Sequence, residues 1–529
     1  MQGWRRSGLA VLAGALGALA QAPVHAFPVL WLSFPLLVLL IDPATDAPPL
    51  RRLRAAAWVG WCYGFGYFLA GLWWIGSAFL VDAAAFAWLI PVAVTALPAG
   101  LALFMALGTA VATLLWRPGP WRIAGLAVAL TGSEWLRGHI LTGFPWLSFG
   151  YGLAATDTLM QTASLVGLNG LTFLAVLLFA APAAALGRQG RPRDGLAFVG
   201  ATLLGLAGLA AFGAIRLASA NVADVPDVRL RLVQPAIDQA LKWLPENRLK
   251  NFEDMLALSR GPAPTSDTAT ADPAADPTTL VVWPETATPF ALADDGYALA
   301  AAGAAIGPKS ILAAGSVRVE PGPDPTAEPR YFNSLLFIDP SGAVRSLYDK
   351  VHLVPFGEYV PFQGVLGALG LGSLSNVVGG FSAGTDNRLI TLPGLPAFEP
   401  LICYEIIFPD EVLAGAARGQ RPAFFLNVTN DAWFGDTAGP YQHFAQARLR
   451  AVEQGIPLVR DANTGISAIV DGYGKVRQFL PLGARGAVEG PLPGALASTI
   501  YGKLGNFPLV LICAIIVICS ITVRLRRLH

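Results

Sequence analysis

The sequence predicts a polytopic α-helical membrane domain of about eight spans plus an extracytoplasmic α/β domain, and three observations support this fold class. First, 54% of the residues are hydrophobic and only 13% are charged, whereas soluble globular chains carry about 25% charged residues. Second, the apolar residues form a long block at the start of the chain and a short block at its end. Third, the segment between these blocks alternates strand-like and helix-like patterns, which is typical of layered α/β folds.

The two apolar blocks contain the predicted membrane spans. Crossing the hydrocarbon core takes about 20 mostly apolar residues. The candidate spans are 8–24, 27–41, 55–79, 86–115, 121–137, 161–187, 195–217 and 504–523. The predicted domains are therefore a transmembrane bundle of about seven spans at 1–217, an outer domain at 218–503, and a transmembrane helix with a basic tail at 504–529.

The distribution of arginine predicts the orientation of the spans. Only Arg137 lies in the short loops on one side of the predicted membrane. The opposite span ends hold Arg5, Arg6, Arg51, Arg52, Arg54, Arg117, Arg122, Arg188, Arg191, Arg193, Arg524, Arg526 and Arg527. Because positively charged loops stay in the cytoplasm, we expect both termini in the cytoplasm and the domain at 218–503 on the outer side.

The outer domain has recognisable strand and helix patterns. Helical spacing predicts helices over 246–260 and 441–454. Residues 261–278 lack large apolar side chains, which predicts a surface loop. The strand-like runs are Arg229–Gln234, Thr279–Trp283, Ser310–Val319, Phe332–Ile338, Glu399–Glu405, Ala423–Thr429 and Ile466–Val470.

Cys403 is the candidate nucleophile of the outer domain. Cys62, Cys513 and Cys519 fall within predicted spans, where a thiol usually acts as a small hydrophobic group. Cys403 ends an apolar, strand-like run, and it has no other cysteine to pair with in an oxidising compartment. These residues alone leave two interpretations open, a buried inert thiol and a reactive nucleophile.

Two other segments supply the groups that a reactive thiol needs. The run Leu280–Glu285 places a carboxylate just past a buried strand, and Asp349–Tyr359 places Lys350 and Glu358 after another. Acyl transfer by a thiol requires a base to take its proton and a cation to stabilise the oxyanion. Each of these charges taken singly is also compatible with a solvated strand end.

The order Glu285, Lys350, Cys403 in these contexts resembles the nitrilase superfamily, whose members use a Glu-Lys-Cys triad on an α-β-β-α sandwich. The membrane frame and the motifs WPE, DKxHLVPFGEYVPF, CYE and NDAWFG narrow the resemblance to the membrane-anchored apolipoprotein N-acyltransferase family. The resemblance covers nearly the whole chain. It implies a nitrilase-like sandwich at 218–503 that faces the periplasm of a bacterial inner (cytoplasmic) membrane.

The resemblance also implies roles for the site residues. Glu285 would be the general base for Cys403, and Lys350 would stabilise the oxyanion. Four further positions would support the site or bind substrate; they are Glu358, Tyr404, Glu405 and Trp243. For Trp243, a packing anchor is the alternative interpretation.

The implied reaction is a ping-pong acyl transfer without a cofactor. Cys403 would take an acyl chain from a membrane phospholipid as a thioester. The α-amino group of the N-terminal diacylglyceryl-cysteine of an apolipoprotein would then accept it. The implied partners are thus the phospholipid donor, the diacylglyceryl-modified apolipoprotein acceptor and membrane lipids. A membrane-tethered amide hydrolase with the same triad stays open, because fold and triad do not fix the acceptor.

Other features of the sequence bear on alternative functions. A net charge of +1 argues against nucleic-acid binding, and no histidine pair has metal-ligand spacing. His352 or His443 is an alternative base for Cys403. Glu134 and Arg137, one helical turn apart, form either a local ion pair or a lipid-headgroup site. The glycine-rich stretch Val365–Phe381 is either a lid or a buried loop.

Overall fold

The computed structural model describes residues 3–186, 191–260, 277–322, 328–361, 380–385, 389–416 and 420–525. Two compact units are present. The helical unit comprises Met1–Ala220, Thr437–Gly455 and Ala497–His529, and the sheet unit comprises Asn221–Asp436 and Ile456–Leu496. Nearly all of the predicted loop at 261–278 and of the glycine-rich stretch at 365–381 lies outside the described residues. The domain bounds at 218 and 503 stay predictions.

The helices of the chain are numbered in order within the described ranges. They are α1 (Trp4–Ala18), α2 (Leu30–Ile41), α3 (Pro49–Leu72), α4 (Ala83–Phe86), α5 (Ile90–Ala112), α6 (Trp121–Arg137), α7 (Gly150–Leu153), α8 (Asp157–Met160), α9 (Ala163–Phe179), α10 (Pro182–Leu186), α11 (Pro192–Ala218), α12 (Gln239–Lys242), α13 (Arg248–Ser259), α14 (Gly296–Ile306), α15 (Ala438–Gln454), α16 (Ile500–Leu504) and α17 (Phe507–Leu525). The helices predicted over 246–260 and 441–454 are confirmed as α13 and α15.

The helical unit contains apolar helices suited to a membrane. Among the described residues, four stretches are long and apolar enough to cross one. They are Phe27–Ala44, Ala83–Ala112, Ala163–Leu186 and Pro192–Ala218. Each overlaps a predicted span, so these helices are consistent with a membrane-bound protein. The total of eight spans and their orientation stay predictions.

The predicted span at 161–187 is interrupted rather than continuous. Helix α9 breaks at Gly167, whose φ of 63° is left-handed, and it ends before Pro182 begins α10. At the break, the backbone N–H of Leu168 donates a 2.6 Å hydrogen bond to Glu453 of α15. Glu453 therefore satisfies a backbone donor that the broken helix leaves without a helical partner.

Glu134 and Arg137 form a buried ion pair in the helical unit. Their charged atoms lie 3.7 Å apart. Arg137 also donates to the carbonyl oxygen of Trp146 at 2.8 Å, and Glu134 accepts from the backbone N–H of Phe149 at 3.3 Å. Because both side chains are buried and bind the backbone of 146–149, the contacts favour a structural ion pair over a lipid-headgroup site.

The sheet unit contains two mixed sheets among its described residues. The first has the order β12-β1-β2-β3-β4-β5 and the second the order β11-β10-β9-β8-β7-β6. The strands are β1 (Asp224–Gln234), β2 (Thr278–Trp283), β3 (Ser310–Glu320), β4 (Arg330–Ile338), β5 (Val344–Asp349), β6 (Ile390–Leu392), β7 (Leu395–Ile402), β8 (Phe424–Thr429), β9 (Leu458–Ala462), β10 (Ser467–Val470), β11 (Val476–Leu480) and β12 (Gly486–Pro493). In each sheet three neighbouring strands are parallel, β1-β2-β3 in the first and β7-β8-β9 in the second.

The strand-like runs predicted from the sequence coincide with observed strands to within a few residues. The exception is the end of Glu399–Glu405, because β7 ends at Ile402 and a 3₁₀ turn occupies Cys403–Ile407. The prediction of an α/β domain built as a sandwich is therefore confirmed in one respect: the unit contains two sheets that pack against each other.

The core of the sheet unit has two parts. Alternate apolar residues of both sheets pack against each other, among them Leu232, Val282, Phe398 and Val428. Phe398 lies at the centre, with its ring centroid 5.4 Å from that of Phe337 and 4.8 Å from that of Phe424. The other face of the first sheet is covered by α13 and α14 through a second apolar cluster. The period of two along each strand assigns one set of side chains to each face.

We predict that Phe398→Ala lowers the free energy of unfolding by about 3–5 kcal/mol, because it empties a fully buried ring site between the sheets. The control is Phe479→Ala on β11, whose side chain is 59% exposed and whose change should stay within about 0.5 kcal/mol. Thermal unfolding of detergent-purified protein measures both. Equal losses in the two variants would contradict the assigned packing.

Candidate active site

The backbone at Cys403 is strained. Strand β7 ends at Ile402, and Cys403 then adopts a left-handed φ of 52°. Such a conformation costs a residue with a β-carbon about 1–3 kcal/mol and persists only where neighbouring groups hold it. Glu405 is one such group, since its Oε2 accepts a 2.7 Å hydrogen bond from the N–H of Ile402. The turn holds Cys403 in the interior, where the residue is only 8% exposed.

Glu405 also joins this turn to the first sheet. Its Oε1 accepts hydrogen bonds from the hydroxyl of Tyr348 at 2.9 Å, the N–H of Val351 at 2.8 Å and the N–H of His352 at 3.1 Å. Burial raises the pKa of Glu405, although the N–H of Ile402, the charge of Lys350 and the N–H groups of the lysine's neighbours oppose the shift. Lys350 immediately precedes Val351. The carboxylate of Glu405 therefore fixes the turn at Cys403 relative to the segment that begins with Lys350.

Lys350 is a buried ammonium group between two carboxylates. Its Nζ donates to Glu358 at 2.9 Å and to Glu285 at 3.4 Å, and its side chain is 1% exposed. Burial alone would lower the pKa of Lys350, but Glu358, Glu285 and neighbouring charges raise it above its ordinary value. Lys350 therefore stays protonated and is available to stabilise a negative oxygen.

Neutral donors hold the two carboxylates in place. The amide of Asn333 donates to Glu285 at 2.7 Å and to Glu358 at 2.8 Å. The second oxygen of Glu285 accepts from the N–H of Asn430 at 2.8 Å, and that of Glu358 accepts from the N–H of Val354 at 2.8 Å. With both oxygens of each carboxylate bound, neither side chain is free to rotate.

A chain of amides connects Glu285 to the loop after β1. Asn430, which bonds Glu285 through its backbone, also bonds Gln239 at 2.7 Å and Asn463 at 3.0 Å through its side chain. Asn463 in turn bonds the backbone of Ile237. These contacts place the start of α12, the helix that precedes Trp243, against the site.

The thiol of Cys403 is protonated in the resting site. Burial raises the pKa of Cys403, and the negative charge of Glu285 raises it further, while Lys350 and a hydrogen bond with Thr429 oppose the shift. The resting pair is thus a thiol beside a carboxylate rather than a thiolate. This arrangement suits general-base activation, in which the proton leaves as the sulfur attacks.

The structure brings together most of the residues predicted from the sequence. Hydrogen bonds join Lys350 to Glu285 and to Glu358, and the charges of Glu285 and Lys350 act on Cys403. Glu405 supports the turn of the nucleophile. Their catalytic roles stay predictions.

Tyr404 and Trp243 have other surroundings. The ring of Tyr404 is buried and packs at 5.5 Å from His352 and 5.0 Å from Phe408. The side chain of Trp243 is 49% exposed at the end of α12. Tyr404 thus belongs to an aromatic cluster beside Cys403. Trp243 presents an exposed ring at the end of α12, the helix whose start contacts the site.

Three contacts were not foreseen from the sequence. Asn333, Asn430 and Lys242 bind Glu285 or the turn that carries it. A polar residue inside the apolar run Phe332–Ile338 was a signal for Asn333, and Asn430 begins the NDAWFG motif. Lys242 adjoins Trp243 but carries no signal of burial.

The histidine alternative for the base loses support. The ring of His352 stacks on Phe408 with centroids 3.9 Å apart, and its Nδ1 lies 2.8 Å from Glu411. His443 belongs to the helical unit, where its ring lies 5.4 Å from that of Trp146. The carboxylate contacts therefore favour Glu285. Within the described ranges, no cluster of His, Cys, Asp or Glu is placed to hold a metal ion.

Comparison with known proteins agrees with the sequence motifs. The family model of the apolipoprotein N-acyltransferase N-terminal domain matches residues 13–181, and that of carbon-nitrogen hydrolase matches residues 229–499. The solved structure of Saccharomyces cerevisiae Nit3, a member of branch 10 of the nitrilase superfamily, is 17% identical. That structure covers 54% of this chain and 98% of its own chain, with a TM-score of 0.36.

Two curated relatives extend over nearly the whole chain. Apolipoprotein N-acyltransferase of Rhodopseudomonas palustris is 45% identical over 97% of this chain and 94% of its own length. The protein of the same name from Brucella melitensis biotype 1 is 48% identical over 93% of this chain and 91% of its own. The resemblance predicted from the motifs is thereby confirmed: this chain belongs to the apolipoprotein N-acyltransferase family.

Proposed function

We propose that this protein transfers an acyl chain from a membrane phospholipid, through a thioester on Cys403, to the α-amino group of the N-terminal diacylglyceryl-cysteine of apolipoproteins. The family assignment supports an acyltransferase that acts on a lipid donor and a lipoprotein acceptor. The observation that carries the proposal is the buried assembly of Glu285, Lys350 and Glu358 beside Cys403, whose backbone is strained.

The first half-reaction acylates the enzyme. Sγ of Cys403 attacks the ester carbonyl of the phospholipid while Glu285 takes the thiol proton. The ammonium of Lys350 stabilises the negative oxygen of the tetrahedral intermediate. When the C–O bond breaks, the leaving glycerol oxygen takes the proton from Glu285, and a lysophospholipid departs from the thioester.

The second half-reaction transfers the chain to the amine. The α-amino nitrogen, in its neutral form, attacks the thioester carbonyl, and Glu285 accepts a proton from the nitrogen. Collapse of the intermediate breaks the C–S bond, forms the amide and returns the proton to the sulfur. The low exposure of Cys403, 8%, limits access of water to the thioester. Glu358 keeps Lys350 in place throughout.

A nitrilase-type amide hydrolase would use the same three groups. The relatives named apolipoprotein N-acyltransferase match this chain along nearly its full length, including its apolar N-terminal part. A hydrolase of small soluble amides has no need of that part. The match therefore supports transfer between lipid-anchored substrates over hydrolysis.

We also propose that the protein is a multi-pass protein of a bacterial inner membrane, with about eight spans. In this proposal both termini are cytoplasmic and the catalytic domain at 218–503 is periplasmic. The one-sided distribution of arginine and the four long apolar helices support it. A domain tethered at both ends would meet both lipid-anchored substrates at the bilayer surface.

The thioester is directly testable. We expect intact-mass analysis of protein purified from membranes to show an added acyl mass that hydroxylamine removes and that Cys403→Ala lacks. The control is Cys519→Ala, because Cys519 is exposed on α17 and its loss should leave the adduct unchanged. A wild-type protein without an adduct under any lipid supply, or an adduct that survives Cys403→Ala, would exclude the scheme.

The electrostatics of Cys403 predict opposite effects of two substitutions on its alkylation by iodoacetamide. Because Glu285 raises the pKa of Cys403 and Lys350 lowers it, Glu285→Gln should alkylate faster than wild type at a given pH, and Lys350→Met more slowly. Both should lose acylation from lipid by about 100-fold or more, since the base or the oxyanion cation is gone.

The measurement is the alkylation rate over a pH series, with Glu253→Gln, an exposed position on α13, as the control. Slower alkylation of Glu285→Gln would mean that the carboxylate already ionises the resting thiol. That result would contradict general-base activation.

The orientation predicts side-specific labelling. In a Cys403→Ala background, we expect Tyr297→Cys, whose native side chain is 93% exposed on α14, to react with a membrane-impermeant maleimide on intact spheroplasts. Asp46→Cys, at an exposed position before α3, should react only after the membrane is permeabilised. The reverse pattern would place the catalytic domain in the cytoplasm.

A further inference from the structure

Lys242 is a second buried lysine near the base. It ends the short helix α12, and its side chain lies in the interior, 1% exposed. Its Nζ donates to the hydroxyl of Thr286 at 3.2 Å and lies 3.5 Å from the carbonyl oxygen of Glu285. Burial of an ammonium group is unfavourable unless it binds polar groups. Here those groups belong to the turn that carries Glu285.

This turn is strained. Thr286 has a left-handed φ of 45°, which is a rare conformation for a β-branched residue. Strain of this kind persists only where neighbouring structure fixes it, and it concentrates at functional sites. The direction of the Glu285 side chain depends on this backbone, so whatever holds the turn also holds the base.

Strand β3 and Lys242 both hold the turn. On the β3 side, Ala287 donates a 2.8 Å hydrogen bond to the carbonyl oxygen of Gly315. The approach is so close that a β-carbon on Gly315 would lie 2.7 Å from Cα of Glu285. The contacts of Lys242 with Glu285 and Thr286 are additional to those of β3, and they come from a different element, α12.

Lys242 also brings a positive charge near the base. Burial lowers the pKa of Lys242 to about 8, and the charge of Glu285 opposes this shift. Most of the Lys242 population is therefore an ammonium at pH values below about 8. The neighbour from α13, Asn251, is neutral and bonds the backbone of Lys242 at 3.4 Å.

We propose that Lys242 is a positioning residue, which fixes the strained turn carrying Glu285 without touching the substrate. The inference rests on the proposed role of Glu285 as base. It assigns a function to a lysine that neither the triad nor the support of Lys350 by Glu358 includes.

The test compares three variants in the acylation of Cys403. Lys242→Met keeps the apolar stem and removes the charge and the donor, and Lys242→Gln keeps a donor without charge. The matched control is Lys250→Met, an exposed lysine on α13 that pairs with Asp254 at 2.7 Å. The rate of thioester formation is followed by intact mass against phospholipid concentration in mixed micelles.

We expect Lys242→Met to lower the maximal acylation rate about 10–100-fold, because a small displacement of a catalytic group has effects of this size. The half-saturating lipid concentration should not change. Lys242→Gln should recover part of the rate because it keeps a hydrogen-bond donor, and Lys250→Met should match wild type.

Two outcomes overturn the inference while the proposed function stands: Lys242→Met acylates like wild type, or it loses rate together with a higher half-saturating lipid concentration. The second pattern would mean a general packing defect. A wild type that forms no adduct overturns both proposals. If Lys242→Met does not fold, Thr286→Val serves in its place, because it removes only the hydroxyl that Lys242 binds. A rate equal to wild type in that variant would refute the positioning role of Lys242.

Discussion

The buried ammonium of Lys350 is the constraint on which the rest of the site depends. An unpaired charge in this position would cost several kcal/mol, so it exists only because carboxylates face it. Glu285 and Glu358 supply those charges from two different loops, one after β2 and one after β5. Each must itself be held, which Asn333 does for both. The need to stabilise the one cation thus fixes the positions of Glu285, Glu358 and Asn333 before any substrate arrives.

Placing the sulfur in this arrangement requires the second sheet. Cys403 follows β7, and Asn430 follows the neighbouring β8, so both lie at the carboxyl ends of parallel strands. The apolar residues between the sheets, with Phe398 at their centre, set the spacing between the two sheets. Glu405 then fixes the position of one sheet relative to the other, because it binds both the turn after β7 and the segment after β5. The apolar core around Phe398 and the buried carboxylate of Glu405 together determine where Cys403 lies relative to Glu285.

Much of this could be predicted from the sequence, and the rest has physical reasons for being hidden. Apolar strands followed by Glu285, Lys350 and Cys403 indicated both the sheets and the reactive groups, because strand ends place polar residues at one edge. The strand-like runs did not extend to β9, where the fully buried Arg460 and Asp461 interrupt the apolar pattern. Burial of Arg460 is explained by its ion pair with Asp431, 2.8 Å away, a partner distant in sequence. Lys242 was hidden for the same reason, since its contacts arise only in the folded chain.

The use of amides around the two carboxylates has a further consequence. The side chains of Asn333 and Asn430 carry no proton that is gained or lost between acid and alkaline conditions. These side chains therefore remain the same donors and acceptors when the surrounding pH changes. Histidines in these positions would make the geometry itself depend on pH. The arrangement around the two carboxylates thus gains tolerance of pH changes from two residues that take no part in proton transfer.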